Sequence, residues 1–234
     1  MQTLAIFGAG PGMGLATARR FGKEGYQVAL VARRADRLSS FVETLAAEGV
    51  AARAFPADLN DLDGHARLLA DIGPVDVAVI NGSLDLALLK PVRDLDVETL
   101  RAAVESVVLA PLSLTRLLLP GMLERGSGTL LYGFGSSAKN PEPMLAGAGA
   151  AQAALRNYVL ALHADLAGTG VSAAAITIGS LIRDSDAEKL FDASAEARRG
   201  FEPDRVDPAG LAEMLLRMTQ HRGPAEQMVG ELAG

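Results

Sequence analysis

Short apolar runs alternate with longer segments of helical periodicity along almost the whole chain. Seven runs have the length and apolar content of strands, at residues 2–7, 27–32, 51–55, 75–80, 128–134, 171–177 and 226–231. Six segments carry the apolar spacing of helices, at residues 13–24, 35–48, 61–72, 97–124, 145–167 and 207–219. This alternation predicts one α/β domain over residues 1–234, a doubly wound parallel sheet of about seven strands with helices on both faces.

Glycines mark the ends of most of these helical segments. A glycine just beyond a helix commonly adopts the left-handed backbone conformation that closes the last turn. The glycines in this position are Gly25, Gly49, Gly73, Gly126 and Gly170. Their recurrence makes the helix ends well defined in the sequence.

Residues 180–206 depart from the alternating pattern. They are polar, rich in charged side chains, and lie between the sixth strand and the last helix. Ligands of doubly wound sheets bind beyond the carboxyl ends of the strands. The segment is therefore predicted to be a lid over a ligand site, and a solvated surface excursion is the alternative.

Charge and composition exclude several classes of function. The net charge of −6 argues against nucleic acid or an anionic membrane as a partner. The chain has no cysteine, which excludes disulfides, thiol catalysis and zinc–thiolate sites, and we expect no metal. We also expect no signal peptide and no stretch as long as a membrane-spanning helix, so a cytoplasmic location is the default.

A glycine-rich turn between the first strand and the first helix is the strongest functional signal. Gly8, Gly12 and Gly14 allow a sharp bend and leave room for a ligand, and the helix behind them directs its free N–H groups toward it. An anion such as a nucleotide pyrophosphate fits this position. The spacing is G-x-x-x-G-x-G, because Met13 stands where a G-x-G-x-x-G fingerprint starting at Gly8 would need glycine.

This spacing resembles the glycine loop of the short-chain dehydrogenase/reductase family, which has a Rossmann-type fold and binds NAD(H) or NADP(H). The second strand ends at Ala32, where an NAD-preferring enzyme usually carries an acidic residue, and Arg33 and Arg34 follow. Guanidinium groups suit a 2′-phosphate, so NADP(H) is the predicted cofactor. The alternative is that one or both arginines merely cap the solvated start of a helix.

Further family positions recur in order from residue 4 to about residue 183. Asp58-Leu59 is similar to the pair beside the adenine, Asn81-Gly82 to part of the family's Asn-Asn-Ala-Gly segment, and Gly179 to the glycine of its Pro-Gly pair. The cofactor-binding residues implied by the resemblance are Gly8, Gly12, Met13, Gly14, Arg33, Arg34, Asp58, Leu59, Asn81, Gly82, Gln152 and Gly179.

The catalytic positions of the family hold different residues here. In the family a tyrosine protonates the substrate carbonyl, a lysine holds the cofactor ribose, a serine steadies the substrate oxygen, and an asparagine supports a water relay. Ala148, Gln152, Gly135 and Val107 occupy these four positions. An atypical site is thus predicted, in which Gln152 still hydrogen-bonds the ribose and Ser136 is the candidate to orient a substrate.

The small residues of positions 146–154 permit two interpretations. Close helix–helix approach is one, and a pocket enlarged by loss of the tyrosine ring is the other. Three functions stay open: an NADP(H)-dependent oxidoreductase acting on an unidentified small carbonyl or alcohol compound, a catalytically inactive NADP(H)-binding regulator or assembly partner, and a non-redox enzyme that reuses the pocket. The resemblance also implies a homodimer or homotetramer.

Overall fold

The seven predicted strands pair into one parallel sheet in the order β3-β2-β1-β4-β5-β6-β9. The computed structural model describes residues 1–81, 90–194, 203–221 and 223–230. The strands of these residues are β1 (Thr3–Phe7), β2 (Gln27–Ala32), β3 (Ala52–Pro56), β4 (Val77–Asn81), β5 (Gly128–Gly135), β6 (Val171–Ile178), β7 (Leu181–Ile182), β8 (Arg205–Val206) and β9 (Glu226–Val229). The predicted doubly wound α/β fold is confirmed.

All six predicted helical segments are helical in the structure. The helices of the described residues are α1 (Met13–Lys23), α2 (Ala35–Ala47), α3 (His65–Ile72), α4 (Val97–Val104), α5 (Ala110–Arg125), α6 (Ala146–Asp165), α7 (Asp186–Ala193) and α8 (Pro208–Gln220). A π-helical turn at Glu105–Leu109 joins α4 to α5, so the predicted helix 97–124 is one continuous rod. Helix α7 and the small β7–β8 ladder lie in the segment 180–206, where we predicted no regular element.

Alternate residues of the central strands point to opposite faces of the sheet. Leu4 and Ile6 of β1 face a core formed with α1, α2 and α8, whereas Ala5 and Phe7 face a core formed with α3, α5 and α6. Helices therefore cover both faces, and the strand termini are left as the accessible edges where a site can form.

The predicted helix-ending glycines adopt the expected conformation. Gly25, Gly49, Gly73, Gly126 and Gly170 all have positive φ, between 61° and 89°. Gly170 is also sterically constrained, because an added Cβ would lie 2.0 Å from the Gly126 carbonyl oxygen.

We predicted no stretch as long as a membrane-spanning helix, but the rod formed by α4, the π turn and α5 is such a stretch. Val97–Arg125 spans 29 residues and contains an apolar window of mean hydropathy 1.6, so by length and composition it could cross a membrane. Core helices of globular proteins pass the same test, and 39% of that window is buried within the fold. Leu114, Leu118 and Met122 pack against the sheet.

The last strand of the sheet is held by a partly buried ion pair. The Arg156 guanidinium donates to both carboxylate oxygens of Glu226 at 2.6 and 2.7 Å, and the Thr177 hydroxyl donates to the same carboxylate at 2.6 Å. These bonds join α6 and β6 to β9. Arg156 is the main reason that the pKa of Glu226 lies below its usual value.

Glu226→Ala is expected to lower the free energy of unfolding by about 2 kcal/mol, less than the 3–5 kcal/mol of a fully buried pair. Because the folded state depresses the pKa of Glu226, its stabilising contribution is present above the unfolded pKa and is lost as pH falls through the folded pKa. Urea unfolding at pH 7 and pH 4 measures both effects. The matched control is Glu48→Ala, which removes an exposed pair with Arg19 and should change stability by less than about 0.5 kcal/mol. Equal losses in the two variants would contradict the assignment.

Candidate functional site

A cleft of about 610 Å³ opens at the carboxyl ends of β1 to β4. The strand order reverses between β1 and β4, which is where doubly wound sheets place their ligands. The lining includes the loop 8–14, residues 32–34 after β2, residues 57–60 after β3, and Asn81 at the end of β4. Residues of α4, α5 and the segment 182–190 complete it.

Two glycines of the loop are required by the fold itself. Gly8 has φ +81°, and an added Cβ would lie 2.8 Å from the Asn81 carbonyl oxygen. The N–H groups of Gly8 and Ala9 both donate to the Val31 carbonyl, at 3.0 and 2.9 Å, so the turn is tied to β2. A Cβ on Gly14 would meet the Ala9 Cα at 3.2 Å. These contacts set the path of the chain into α1.

Gly12 lines the cleft and also gives room to another segment of the chain. A Cβ there would lie 3.1 Å from both Ile182 Cγ2 and Ser185 Cβ, so the missing side chain makes room for the segment before α7. Gly10 has no heavy atom within 4 Å of its ideal Cβ and faces open space. Both glycines line the cleft, and Gly10 is the one with open space at its Cβ position. Helix α1 begins at Met13 with no side-chain cap, leaving its first N–H groups available to an anion.

Three arginines line the cleft beyond β2, and the described residues partner them differently. Arg34 is the N-cap residue of α2 and donates to Asp36 at 2.7 Å, which is the main reason that the pKa of Asp36 is lowered. Arg37 donates to Asp186 of α7. Arg33 makes no hydrogen bond or ion pair with the part of the chain that the structure describes.

The loop after β3 places Asp58 and Leu59 in the cleft. The Asp58 carboxylate accepts the Asn60 N–H at 3.0 Å. The Leu59 carbonyl lies 3.0 Å from His65 Nε2, and His65 Nδ1 lies 3.0 Å from the Ser113 hydroxyl of α5. His65 is therefore a buried support of this loop.

Stability should fall as pH drops below the ordinary histidine pKa near 6.5. Burial lowers the pKa of His65, so the unfolded chain takes up this proton first and acidification favours unfolding. Urea midpoints between pH 7.5 and 5.5 measure the trend. His65→Gln should flatten it, while the same change at the exposed His221 should not. An unchanged slope in His65→Gln would contradict this role.

Two buried polar atoms lack a hydrogen-bond partner among the described residues: Asn81 Oδ1 and Ser136 Oγ. Asn81 lines the cleft at the end of β4, and Ser136 follows β5 with 2% of its surface exposed. Buried polar groups are almost always paired, so the Asn81 oxygen fits a site that a ligand or water completes, whereas Ser136 is not among the residues that line the cleft. Gly82 lies outside the described residues.

Gln152 contacts the end of β5 and is not among the residues lining the cleft. Its Oε1 accepts the Gly135 N–H at 3.1 Å and the Ser137 hydroxyl at 3.3 Å. Because the amide oxygen already accepts these two hydrogen bonds, the Nε2 hydrogens are the part of the side chain that can donate to a ligand. Gly179 is likewise outside the lining and donates its N–H to the Val229 carbonyl at 2.8 Å, so its described contact holds β9.

Close packing accounts for the small residues at the start of α6. A Cβ on Gly149 would lie 3.0 Å from the Ser137 carbonyl oxygen, and Ala151 packs with Ala103 and Val107. Ala148 is buried and does not line the cleft. The described residues therefore favour the close-approach interpretation over an enlarged pocket.

Tyrosine does not line the cleft in the described part of the chain. Tyr132 is fully buried, its hydroxyl lies 2.7 Å from that of Thr115, and burial raises its pKa. It is therefore a core residue. No group of three potential metal ligands is found among the described residues.

Some cleft residues were not predicted from the sequence. Arg37 could have been found, because it lies in the first turn of α2 close behind Arg33. Ser106 belongs to the π turn, and π turns are frequent at functional sites, but the sequence does not predict one. Asp186 and Leu190 reach the cleft through α7, whose position depends on the tertiary fold.

Comparison with known proteins identifies the family. Residues 2–190 match the family model described as short chain dehydrogenase. A short chain dehydrogenase of Pseudocercospora fijiensis is 30% identical over 238 residues, covering 99% of this chain and 72% of that protein.

Solved structures share the fold. Actinorhodin polyketide ketoreductase, crystallised with NADPH, superposes with a TM-score of 0.87 at 24% identity, covering 99% of this chain and 97% of that one. A short chain oxidoreductase of Pseudomonas aeruginosa described as containing an atypical catalytic center gives 0.85 at 19% identity, covering 99% and 96%. Together with the family match, the cleft at the switch point leads to one conclusion: this chain belongs to the short-chain dehydrogenase family of oxidoreductases.

Proposed function

We propose that this protein is an NADP(H)-dependent oxidoreductase of a small carbonyl or alcohol compound that works without the family's tyrosine–lysine pair. The observation that carries the cofactor assignment is Arg33. Its guanidinium lines the cleft without a partner among the described residues, and Ala32 stands where a carboxylate would repel a phosphate.

The chain's residues divide the binding between them. The loop 8–14 and the first N–H groups of α1 hold the pyrophosphate, Arg33 holds the 2′-phosphate, and Asp58 and Leu59 contact the adenine side. Asn81, at the end of β4, lines the cleft and has an oxygen without a hydrogen-bond partner among the described residues. When bound, NADPH supplies the hydride that reduces the substrate.

The catalytic end relies on uncharged groups. Gln152, oriented by Gly135 and Ser137, presents its amide hydrogens to the nicotinamide ribose in place of a lysine. Ser136 offers an unpaired hydroxyl that orients the substrate oxygen. A serine hydroxyl is a poor acid, so the proton comes from water or the substrate itself.

Direct titration tests the proposal. NADPH and NADH are titrated by fluorescence, and a panel of carbonyl and imine compounds is screened for loss of nicotinamide absorbance. Tight NADPH binding with turnover supports the oxidoreductase. Failure to bind either cofactor would refute the function.

A second candidate is a non-catalytic NADP(H)-binding regulator. The observation that favours it is the buried Ala148 at the tyrosine position, together with the absence of tyrosine from the described cleft lining. NADPH binding without oxidation across the whole panel would support this candidate over the enzyme.

We further propose that the protein forms a homodimer or homotetramer through the rod formed by α4, the π turn and α5. Leu109, Leu117 and Leu123 lie along this rod with 40–45% of their surfaces exposed. Such side chains gain from burial against a second copy. Light scattering measures the mass, and Leu117→Glu should shift it toward the monomer.

A further inference from the structure

An acidic side chain reaches into the same part of the cleft as the three arginines. Asp186, the first residue of α7, lines the cleft and accepts a hydrogen bond from Arg37 of α2. The pKa of Arg34 is raised mainly by its hydrogen bond to Asp36, and the negative charge of Asp186 adds a smaller contribution in the same direction. An internal carboxylate thus stands where the proposed function places an anionic group of the nucleotide.

Helix α7, which carries Asp186, and the residues just before it also contact β8 and the glycine loop. Arg205 of β8 donates to Asp192 at 2.7 Å and also pairs with Glu188, both on α7. Ile182 and Ser185 rest against Gly12 of the glycine loop. The ion pair of Arg37 and Asp186 is therefore a bridge between α2 and α7 at the edge of the cleft.

The ion pair of Arg37 and Asp186 is weak enough for a phosphate to replace the carboxylate. Asp186 retains 59% and Arg37 30% of side-chain exposure, and exposed pairs contribute less than about 1 kcal/mol. A phosphate carries more charge and more acceptor oxygens than a carboxylate, so it competes well for a guanidinium. Arg37 lies in the first turn of α2, immediately behind the unpaired Arg33.

We propose that Asp186 is an internal competitor for the 2′-phosphate: it occupies Arg37 in the free protein, and nucleotide binding transfers Arg37 from Asp186 to the phosphate and releases α7 from α2. The proposal rests on the proposed function, since it assumes that NADP(H) enters this cleft. It adds Arg37 and Asp186 as residues that set the affinity for the 2′-phosphate.

Asp186→Asn tests the competition. The variant should bind NADPH about 3- to 5-fold more tightly, because a competitor of this strength is removed, and should bind NADH as the wild type does. Arg37→Ala should weaken NADPH binding. Adding Asp186→Asn to Arg37→Ala should restore little of the lost affinity. Asp184→Asn is the matched control: it removes the same charge from an exposed residue that does not line the cleft, and it should leave NADPH affinity unchanged.

Hydrogen exchange of the nucleotide-free protein gives a second readout. Asp186→Asn and Arg37→Ala should both speed amide exchange across Asp186–Ala193, whereas Asp184→Asn should not. Unchanged or weaker NADPH binding by Asp186→Asn would overturn the inference. Weaker NADH binding by the same variant would also overturn it, because the Asp186 carboxylate would then be a ribose ligand. If the wild type binds NADPH and Asp186→Asn does not differ, only this inference fails. If the wild type binds neither nucleotide, the proposed function fails with it.

Discussion

Arg33→Ala is expected to weaken NADPH binding about 30-fold and to leave NADH binding within about twofold. A charge-assisted hydrogen bond to a phosphate contributes about 1.5–3 kcal/mol, and NADH lacks the phosphate that would receive it. Arg33 is suited to this role because it is unpaired among the described residues. Fluorescence titration of the two nucleotides measures the ratio directly.

Two further variants sharpen this result. Arg33→Lys keeps the charge but loses the paired donors, so its NADPH affinity should fall between those of the wild type and Arg33→Ala. Arg34→Ala should weaken NADPH binding less than Arg33→Ala does, because Arg34 is already hydrogen-bonded to Asp36. Equal loss of NADPH and NADH affinity in Arg33→Ala would refute the 2′-phosphate assignment.

Gly8→Ala is expected to lower the free energy of unfolding by about 3 kcal/mol. Gly8 has φ +81°, and its Cβ would lie 2.8 Å from the Asn81 carbonyl oxygen, a backbone atom that cannot rotate away. The backbone shift needed to relieve this contact would also distort the loop in which the pyrophosphate is proposed to bind. Urea unfolding followed by circular dichroism measures the stability loss.

Gly10→Ala is the matched control in the same loop. Its Cβ would meet no heavy atom within 4 Å, so the variant should fold with a stability change below about 1 kcal/mol. The new methyl group would instead project into the open cleft, and nucleotide affinity should fall. A Gly8→Ala protein as stable as Gly10→Ala would show that the loop does not depend on this close contact.

The sheet and most helices could be predicted because their signals are local. Runs such as residues 28–32 are apolar throughout, as strands buried on both faces must be, and glycines such as Gly49 end helices through their own φ. Helix α7 was missed because it is only eight residues long, none of them is buried, and it lies in a segment rich in charged side chains. The Ser185 side chain caps it by accepting the Glu188 N–H at 3.0 Å.

The candidate site was predictable only where one short stretch carries the signal. The glycine loop and Arg33 fall in such stretches, and the structure places both in one cleft. The ion pair of Arg37 and Asp186 joins residues 149 positions apart, and no local pattern reports it. No local pattern reports the role of His65 either, whose ring contacts the Leu59 carbonyl through one nitrogen and Ser113 of α5 through the other.

By itself, the sequence determined the fold class, the glycine turn and the arginines beyond β2, because backbone freedom, strand burial and fixed charge belong to the residues themselves. Tertiary structure decided how those residues are used. It showed that Gly12 both lines the cleft and makes room for the segment before α7, that Arg34 and Arg37 are paired, and that Arg33 has no described partner. Such differences arise from distances between segments remote in the chain, which only packing sets.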